Sequence, residues 1–403
     1  MPTARALPTP TPETSRARTA VVIAFAANGV AFASFISRTP AIRDALGISS
    51  AQLGLLLLCL SGGAIAGLPL SGPVVHRLGP GPAVLLGALS VSLGLAGLVT
   101  GLVTGAVVPA GIGLVFTGLG SGVWDVAMNV EGADVEHRLG RSLLPRLHAA
   151  FSLGTVAGAA LGAASAATGV PLAVQVAAVA VLLPVVVTVA SLRFLPRHEA
   201  AAGKAATGSG VLVAWREPRT LLIGLMVFGF AFTEGSANDW IAVAFVDGYA
   251  VSEAVGAVAF GFFVSAMTVG RLLGGSALER FGRVAVLRAT AVFALAGLLL
   301  VLLGGSTPVA LAGALLWGVG ASLGFPVGMS AAADDPVLAA ARVSVVSSVG
   351  YTAFLAGPPL IGLLSEDAGI LRGLFVVLGA LVVGLLAAGA ARPLPTPDHQ
   401  QPH

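Results

Sequence analysis

The sequence is built from apolar runs that carry almost no charge and repeat from one end of the chain to the other. Each run has the length, about 20 residues, that crosses the hydrocarbon core of a bilayer as a helix. The runs are too continuously apolar for the strands of a membrane barrel, in which apolar and polar residues alternate. Backbone groups in the bilayer core must pair within their own segment, so each run is predicted to be helical.

The composition excludes an ordinary soluble enzyme. Hydrophobic residues make up 56% of the 403 residues and charged residues only 10%, whereas soluble chains carry about 25% charged residues. The net charge of +3 does not indicate nucleic-acid binding, because the arginines lie between apolar runs, where membrane topology explains them. The single cysteine, Cys59, lies inside an apolar run and permits no disulfide within the chain.

The sequence predicts an all-α membrane protein with twelve transmembrane helices, numbered here in chain order. Residues 1–18 are rich in Pro, Thr and Arg, and we expect them to be disordered. The first run could belong to a signal peptide, but it is long enough to span, so we assign it to helix 1. The predicted helices cover residues 19–37, 51–74, 82–104, 107–130, 145–168, 170–194, 220–239, 252–275, 284–304, 307–331, 341–364 and 370–391.

Basic residues predict the orientation of these helices. With the N-terminus inside, 17 of the 21 lysines and arginines fall on the cytoplasmic side, and the outer loops contain only Arg38, Arg43 and Arg372. Because lysine and arginine accumulate in cytoplasmic loops, both termini are expected to be cytoplasmic. The richness in Ala, Gly, Val and Arg is typical of GC-rich bacterial genomes, so we expect a multi-pass protein of a bacterial plasma membrane.

The two halves of the chain repeat each other. SAQLG (50–54) matches SEAVG (252–256), GPVVHRLG (72–79) matches GSALERFG (275–282), GLGSG (118–122) matches GVGAS (318–322), and RLHAAFSLG (146–154) matches RVSVVSSVG (342–350). The offsets stay between 196 and 203 residues, so the halves share one topology and are expected to enclose a site between them. We therefore divide the chain into bundles at 19–194 and 220–391, a cytoplasmic linker at 195–219 and a tail at 392–403.

Together these features resemble the major facilitator superfamily over essentially the whole chain. The family motif between helices 2 and 3, roughly G-x-x-x-D-R-x-G-R-R, recurs between helices 8 and 9. Here the second copy fits well through Glu279, Arg280 and Arg283, whereas His76 replaces the acid beside Arg77 in the first copy. The resemblance implies two rocking six-helix bundles, gating loops at these motifs and a cavity lined by helices 1, 4, 7 and 10.

A narrower resemblance links the chain to a bacterial branch of permeases that is loosely related to the fucose-type sugar permeases. The segments that carry it are RTPAIRDALGIS (38–49), DVAMNVEG (125–132), RLHAAFSLG (146–154) and EGSANDW (234–240).

In helix 4, Gly118, Gly122, Asp125 and Asn129 fall within about 40° of one another at 100° per residue. This stripe is predicted to face protein or water. Asp125 and Asn129 are candidates for substrate binding or proton coupling, with a structural carboxylate as the alternative. Glu131 lies on another face and is a weaker candidate.

Helix 7 places Glu234 and Asn238 on one face. Glu234 is the first candidate for a proton-coupling acid, because a carboxylic acid at membrane depth is rare and usually functional. Asp239 and Trp240 are expected near the outer surface. Asn28 in helix 1 could bind substrate or a neighbouring backbone group.

Other polar residues leave alternatives open. Phe325 in helix 10 is a further candidate for the cavity, and Arg271 is expected near the inner end of helix 8 as part of the gating region. His148 could shuttle protons or make a structural hydrogen bond. Because no lysine or arginine was expected at mid-membrane depth, neutral polar or cationic solutes are favoured over anions.

The leading hypothesis is a secondary transporter that is coupled to protons through Glu234 or Asp125. No Walker motif is present, and we expect no cofactor, no metal, no nucleic acid and a monomer in the lipid bilayer. Sugar-like solutes are favoured, with drug or metabolite efflux as the alternative. A sensor or passive facilitator and a membrane enzyme using Asp125, His148 and Ser152 are the hypotheses of other classes.

Overall fold

The computed structural model describes residues 11–139, 143–195, 212–335 and 338–394. Within these ranges twelve helices are long and apolar enough to cross a membrane, which confirms the predicted number. They are α1 (Pro12–Ile36), α2 (Ser50–Leu78), α3 (Pro80–Thr104), α4 (Val107–Leu139), α5 (Leu144–Ala167), α6 (Leu172–Ser191), α7 (Pro218–Tyr249), α8 (Glu253–Phe281), α9 (Arg283–Leu303), α10 (Thr307–Ala332), α11 (Ala339–Ala368) and α12 (Ile370–Ala391). A short helix, Thr39–Leu46, lies in the connection between α1 and α2.

The helix α1 begins earlier than the sequence suggested. Thr11 caps it by accepting a hydrogen bond from the backbone N–H of Thr14 at 3.2 Å, and Pro12 occupies the first turn. A hydroxyl cap followed by proline is a helix start signal. The prediction of disorder is therefore wrong for residues 12–18, while residues 1–10 lie outside the described residues.

Two helices run past the ends that polar residues had suggested. α4 continues to Leu139 and α7 to Tyr249, so residues 131–139 and 240–249 are also helical. Trp240, expected near the outer surface, is fully buried, because α7 is surrounded by other helices there. Gly140 and Arg141 lie outside the described residues, as do most of the predicted linker (196–211) and tail (395–403).

The helices pack in two equivalent sets, an N-terminal half (α1–α6) and a C-terminal half (α7–α12). In the first half α1 packs on α5, α2 and α3 pack on α4, and α3 packs on α6. The same contacts recur in the second half between α7 and α11, α8 and α9 against α10, and α9 and α12. The halves meet where α2 packs on α11 and α5 packs on α8.

The repeat also appears in one backbone conformation. Gly79, between α2 and α3, has φ 86° and ψ 165°, and Gly282, between α8 and α9, has φ 76° and ψ 160°. Only glycine adopts this region without strain. The glycine that the two motif copies share therefore makes the same turn in both halves.

The glycines of the α4 stripe allow close packing against α2. A methyl group on Gly118 would collide with the backbone of Leu60 and Ala64, and one on Gly122 would approach the carbonyl oxygen of Ala64 to 2.6 Å. Small residues let helices approach closely in membranes, where no hydrophobic force drives helices together. The predicted stripe thus faces protein at Gly118 and Gly122.

Replacing Gly118 with Ala is expected to lower the thermal stability of the purified protein. The added methyl group has to displace backbone of α2, and overpacking of this kind costs about 1–3 kcal/mol. The control is Gly62→Ala in α2, where an added methyl group meets no atom within 4 Å. That change should be neutral or stabilising by about 0.5–1 kcal/mol, since alanine favours helices. Equal melting temperatures for the two variants would contradict the packing described.

Candidate functional site

A cavity of about 1070 Å³ lies between the two halves. Its lining comes from α1, α4 and α5 in one half and from α8, the first residue of α9 and α10 in the other. The cavity reaches the end of the molecule at which the described residues begin (Thr11) and end (Leu394), since Pro145, Gly282, Pro393 and Leu394 belong to its lining. We call this end the termini end, and the opposite one the closed end.

Arg38 ties the halves together at the closed end. Its Nη2 donates to Glu253 Oε2 at 2.9 Å, at the start of α8, while Nη1 donates to the Val170 carbonyl oxygen (2.9 Å) and to Gln175 Oε1 (3.1 Å). The Arg38 side chain is only 6% exposed, whereas that of Glu253 is 35% exposed. The pair thus joins α8 to a buried arginine that the N-terminal half itself holds in place.

Two further contacts cross between the halves at this end. Arg43 in the short helix forms a bidentate pair with Asp247 of α7, and hydrogen bonding to Asp247 raises the pKa of the Arg43 guanidinium. Glu366 of α11 accepts a hydrogen bond from the backbone N–H of Ala51 at 2.9 Å, in the first turn of α2. Helix packing reinforces this closure, because Gly54 of α2 leaves no room for a side chain against Pro358 of α11.

At the termini end, the ion pairs of the C-terminal half stay inside that half. Asp334 at the end of α10 accepts hydrogen bonds from Arg283 Nη1 at 2.6 Å and from Arg219 Nη2 at 2.9 Å. Beside them Arg342 binds Glu217 and thereby lowers the pKa of that carboxyl group. These pairs join four segments of one half without crossing the cavity.

Of the polar residues predicted in α4 and α1, Asp125 is the one that lines the cavity. Asp125 lines the cavity, and Asn129 donates to its backbone oxygen at 2.8 Å and to its Oδ1 at 3.4 Å. Asn28 of α1 is 4% exposed, and its side-chain oxygen lies 3.5 Å from Ser121 Oγ. Asp125 is therefore the α4 carboxylate that a solute in the cavity would meet.

Glu131 is a structural residue in this arrangement. It is 1% exposed, and its Oε1 accepts the backbone N–H of Leu195 at 2.7 Å, just after α6. A buried carboxylate that satisfies a backbone donor stabilises a connection between helices. Glu131 is not among the residues that line the cavity, and its role in transport stays a prediction.

The structure joins Glu234 of α7 to Arg271 of α8. Arg271 Nη2 donates to Glu234 Oε1 at 2.8 Å, and Arg271 Nε donates to the Ser322 carbonyl oxygen at 3.3 Å. Arg271 lies in the interior of α8 and lines the cavity. The expectation that it sits near the inner end is wrong, because α8 continues for ten residues beyond it, and Arg271 gives the cavity a basic residue that had been assigned to the gating region from the sequence.

The Ser322 carbonyl is available because α10 is broken. Its two helical segments, Thr307–Ala321 and Gly324–Ala332, are separated by Ser322 and Leu323. A break frees carbonyl oxygens from the helical ladder, and these need other donors inside a membrane. After the break, Phe325 lines the cavity and its ring lies 6.2 Å from that of Tyr351.

The remaining predicted residues divide between the cavity and its rim. His148 lines the cavity, where its ring meets Phe25 edge-on at 5.4 Å. Asn238 is part-buried one helical turn from Glu234. Glu279 lines the cavity, and Arg280 lies over the Phe281 ring at 5.2 Å. His76 and Arg77 occupy the exposed end of α2.

Comparison with known proteins decides the family. A sequence model of the Major Facilitator Superfamily matches residues 23–336, which is most of the chain. The chain belongs to the major facilitator superfamily.

Bacterial relatives of this superfamily member extend over nearly its full length. An uncharacterized MFS-type transporter of Yersinia pestis is 30% identical over 371 residues, covering 92% of this chain and 93% of the relative. An uncharacterized transporter of Sinorhizobium fredii is 32% identical over 374 residues, covering 91% and 96%.

Solved structures share the fold at low identity. A variant of the nucleoside transporter NupG superposes with a TM-score of 0.76 at 13% identity, covering 94% of this chain and 99% of that one. The Escherichia coli fucose:proton symporter FucP superposes with a TM-score of 0.63 at 16% identity, covering 94% and 98%. The superfamily fold predicted from the duplicated motifs is thus confirmed.

Sequence reasoning missed the contacts that close the molecule. Arg38 and Arg43 were noted for topology and as part of the 38–49 segment, but their partners Glu253 and Asp247 were not considered. The usable signal was that these two arginines are rare basic residues among the outer loops, and that acids lie at the connection between α7 and α8.

Replacing Glu253 with Gln is expected to favour conformations of this superfamily member in which the two halves separate at the closed end. A hydrogen bond to a charged group contributes about 1.5–3 kcal/mol, and the lower value applies because Glu253 is 35% exposed. The ratio of closed to open molecules should therefore fall about tenfold. The measurement is the distance between spin labels at Thr104 and Leu303, which lie at the ends of α3 and α9 on the closed side of the molecule.

The matched control is Arg372→Gln, which removes a charge from an exposed residue at the same end. It should leave the distance distribution unchanged. The same distribution in Glu253→Gln as in the wild type would show that the Arg38–Glu253 pair does not hold the halves together.

Proposed function

We propose that the protein is a secondary transporter that carries a small polar solute across a bacterial plasma membrane by alternating access. The observation that carries the proposal is a cavity lined by both halves, which reaches the termini end and is sealed at the other end by cross-half contacts. With the termini in the cytoplasm, as the basic residues favour, this structure corresponds to an inward-facing state. Rocking of the halves would exchange the two ends.

A hydroxylated solute is the favoured cargo. NupG and FucP, which share the fold, are named as a nucleoside transporter and a fucose:proton symporter, and both solutes are neutral and hydroxylated. The cavity offers them polar groups such as Asp125, Ser152 and Thr268. Efflux of drugs or metabolites is the second candidate, because Phe25, Phe151 and Phe325 give the same cavity a large apolar surface.

Asp125 is the residue that we propose to carry the coupling proton. It faces the cavity, and in the described part of the chain no lysine or arginine is bonded to it. Glu234, our first choice from the sequence, is paired with Arg271, so its charge is already balanced. The negative charge of Asp125 can be neutralised by a proton or by a cationic solute. In either case the movement of the solute would be coupled to the movement of positive charge.

Replacing Asp125 with Asn is expected to abolish proton-driven accumulation while leaving facilitated movement intact. The amide has nearly the shape of the acid but takes up no proton, so coupling is lost and the pathway is kept. The measurement is uptake of a labelled solute into proteoliposomes with and without an imposed pH gradient, accompanied by exchange between labelled and unlabelled solute.

The matched control is Glu131→Gln, which alters a buried acid of the same helix that lies away from the cavity. It should retain accumulation if the protein folds. Accumulation by Asp125→Asn equal to wild type would remove Asp125 from coupling. Wild-type protein that equilibrates solute but never accumulates it would instead identify a passive facilitator.

A further inference from the structure

We propose that Arg271 is the recognition residue of the C-terminal half, and that it binds two neighbouring hydroxyl groups of an uncharged solute. The inference rests on the transport function proposed above and adds the chemical class of the solute. It assigns Glu234 the role of a positioning residue that holds Arg271 and balances its charge.

The guanidinium of Arg271 is held by the protein from one side. Nε donates to the carbonyl oxygen that the α10 break exposes at Ser322, and Nη2 donates to Glu234. Gly270 permits this approach, because a side chain there would collide with Ser322. Two anchors on one edge fix the plane of the group before any solute arrives, which lowers the entropic cost of binding.

A second edge of the guanidinium, formed by Nη1 and Nη2, keeps N–H groups for a solute. An arginine has five N–H donors, and the described residues accept from two of them, on Nε and Nη2. The side chain is 32% exposed and lines the cavity. The edge formed by both Nη atoms therefore presents two parallel N–H groups, which suit two oxygen atoms placed side by side.

The charges around Arg271 favour hydroxyl groups over a carboxylate. Glu234 already offsets the Arg271 charge. Arg283, another arginine of the cavity, shares the carboxylate of Asp334 with Arg219. Asp125 and Glu279, which also line the cavity, outnumber the single positive charge that these pairs leave over, so there is an excess of negative charge when both acids are ionised. An anionic solute bound to Arg271 would add to this excess, whereas neighbouring hydroxyls accept both N–H groups without adding charge.

The facing wall complements such a solute. Asp125 can accept hydrogen bonds from further hydroxyl groups, and Ser152 lies in the same wall. Phe25 and Phe325, one from each half, offer apolar surface to the carbon face of a sugar ring. The solute would thus contact both halves, as a solute that moves with their rocking must.

The test is equilibrium binding to the purified protein, measured by calorimetry and thermal shift, with three sets of probes. These are neutral aldoses, ribonucleosides and the uronic acids of the same aldoses. At least one aldose or ribonucleoside is expected to bind, and whichever set does so identifies the source of the hydroxyl pair. Its 2-deoxy or 2′-deoxy analogue should bind at least about tenfold more weakly, because one N–H of Arg271 then loses its acceptor.

Variants assign this discrimination to Arg271. Arg271→Gln and Arg271→Lys should both bind the hydroxylated probe at least about tenfold more weakly and no longer distinguish it from its deoxy analogue, because neither side chain has the fork. Arg288→Gln, an exposed arginine of α9, is the matched control and should behave as wild type. Glu234→Gln should shift preference toward the uronic acid, because the Arg271 charge loses its counter-charge.

Several results would overturn the proposal. They are the absence of binding by every neutral probe, tighter binding of uronic acids than of aldoses by the wild type, and undiminished deoxy discrimination in both Arg271 variants. Unchanged selectivity in Glu234→Gln would remove its positioning role. Because binding is measured without a membrane or a gradient, these outcomes are separate from a failure of proton coupling or of alternating access.

Discussion

Charged side chains at membrane depth need a partner or water, and this constraint accounts for the placement of the charged groups around the cavity. An unpaired charge in the bilayer core costs several kcal/mol, so each such residue has to be stabilised by another element. Arg271 meets the requirement through Glu234 and the broken α10. Asp125 meets it by facing the cavity.

The ion pairs at the two ends of the molecule connect different parts of it. At the closed end, Arg38 and Arg43 reach acids of the other half, so the halves cannot separate there without breaking ion pairs. At the termini end, Arg283 and Arg342 bind acids of their own half. The pairs at the closed end connect the two halves, while those at the termini end connect segments within the C-terminal half.

The apolar runs and the repeat predicted the fold because both can be recognised directly in the sequence, without knowledge of contacts between helices. Twelve runs gave twelve helices, and the glycine shared by the motif copies makes the same turn at Gly79 and Gly282. The ends of α4 and α7 were predicted too early, because polar residues such as Asp239 were interpreted as marking a surface. These helices are enclosed by other helices, which allows polar residues to continue inside them.

The candidate site was predicted less completely, since it depends on contacts between distant segments. Asp125 was found because it continues a glycine stripe on one helix. The Arg271–Glu234 pair joins different helices. Arg271 also donates to the backbone carbonyl oxygen of Ser322, which lies at the break in α10. The local signal for that carbonyl is Pro326, four residues after Ser322, because proline has no N–H to bond it, although this signal was not used in the prediction from the sequence. A charged residue in the interior of a predicted helix should therefore be considered for the cavity before it is assigned to a loop.

The most direct test of alternating access is a pair of distances in one wild-type background, measured by electron spin resonance in lipid nanodiscs. Labels at Thr104 and Leu303 report the closed end, and labels at Leu78 and Phe281 report the termini end. Lowering the pH or adding a bound solute should populate a state in which the first distance increases and the second decreases. Two distances that change in the same direction, or that stay single-valued under every condition, would contradict movement of the two halves around the central cavity.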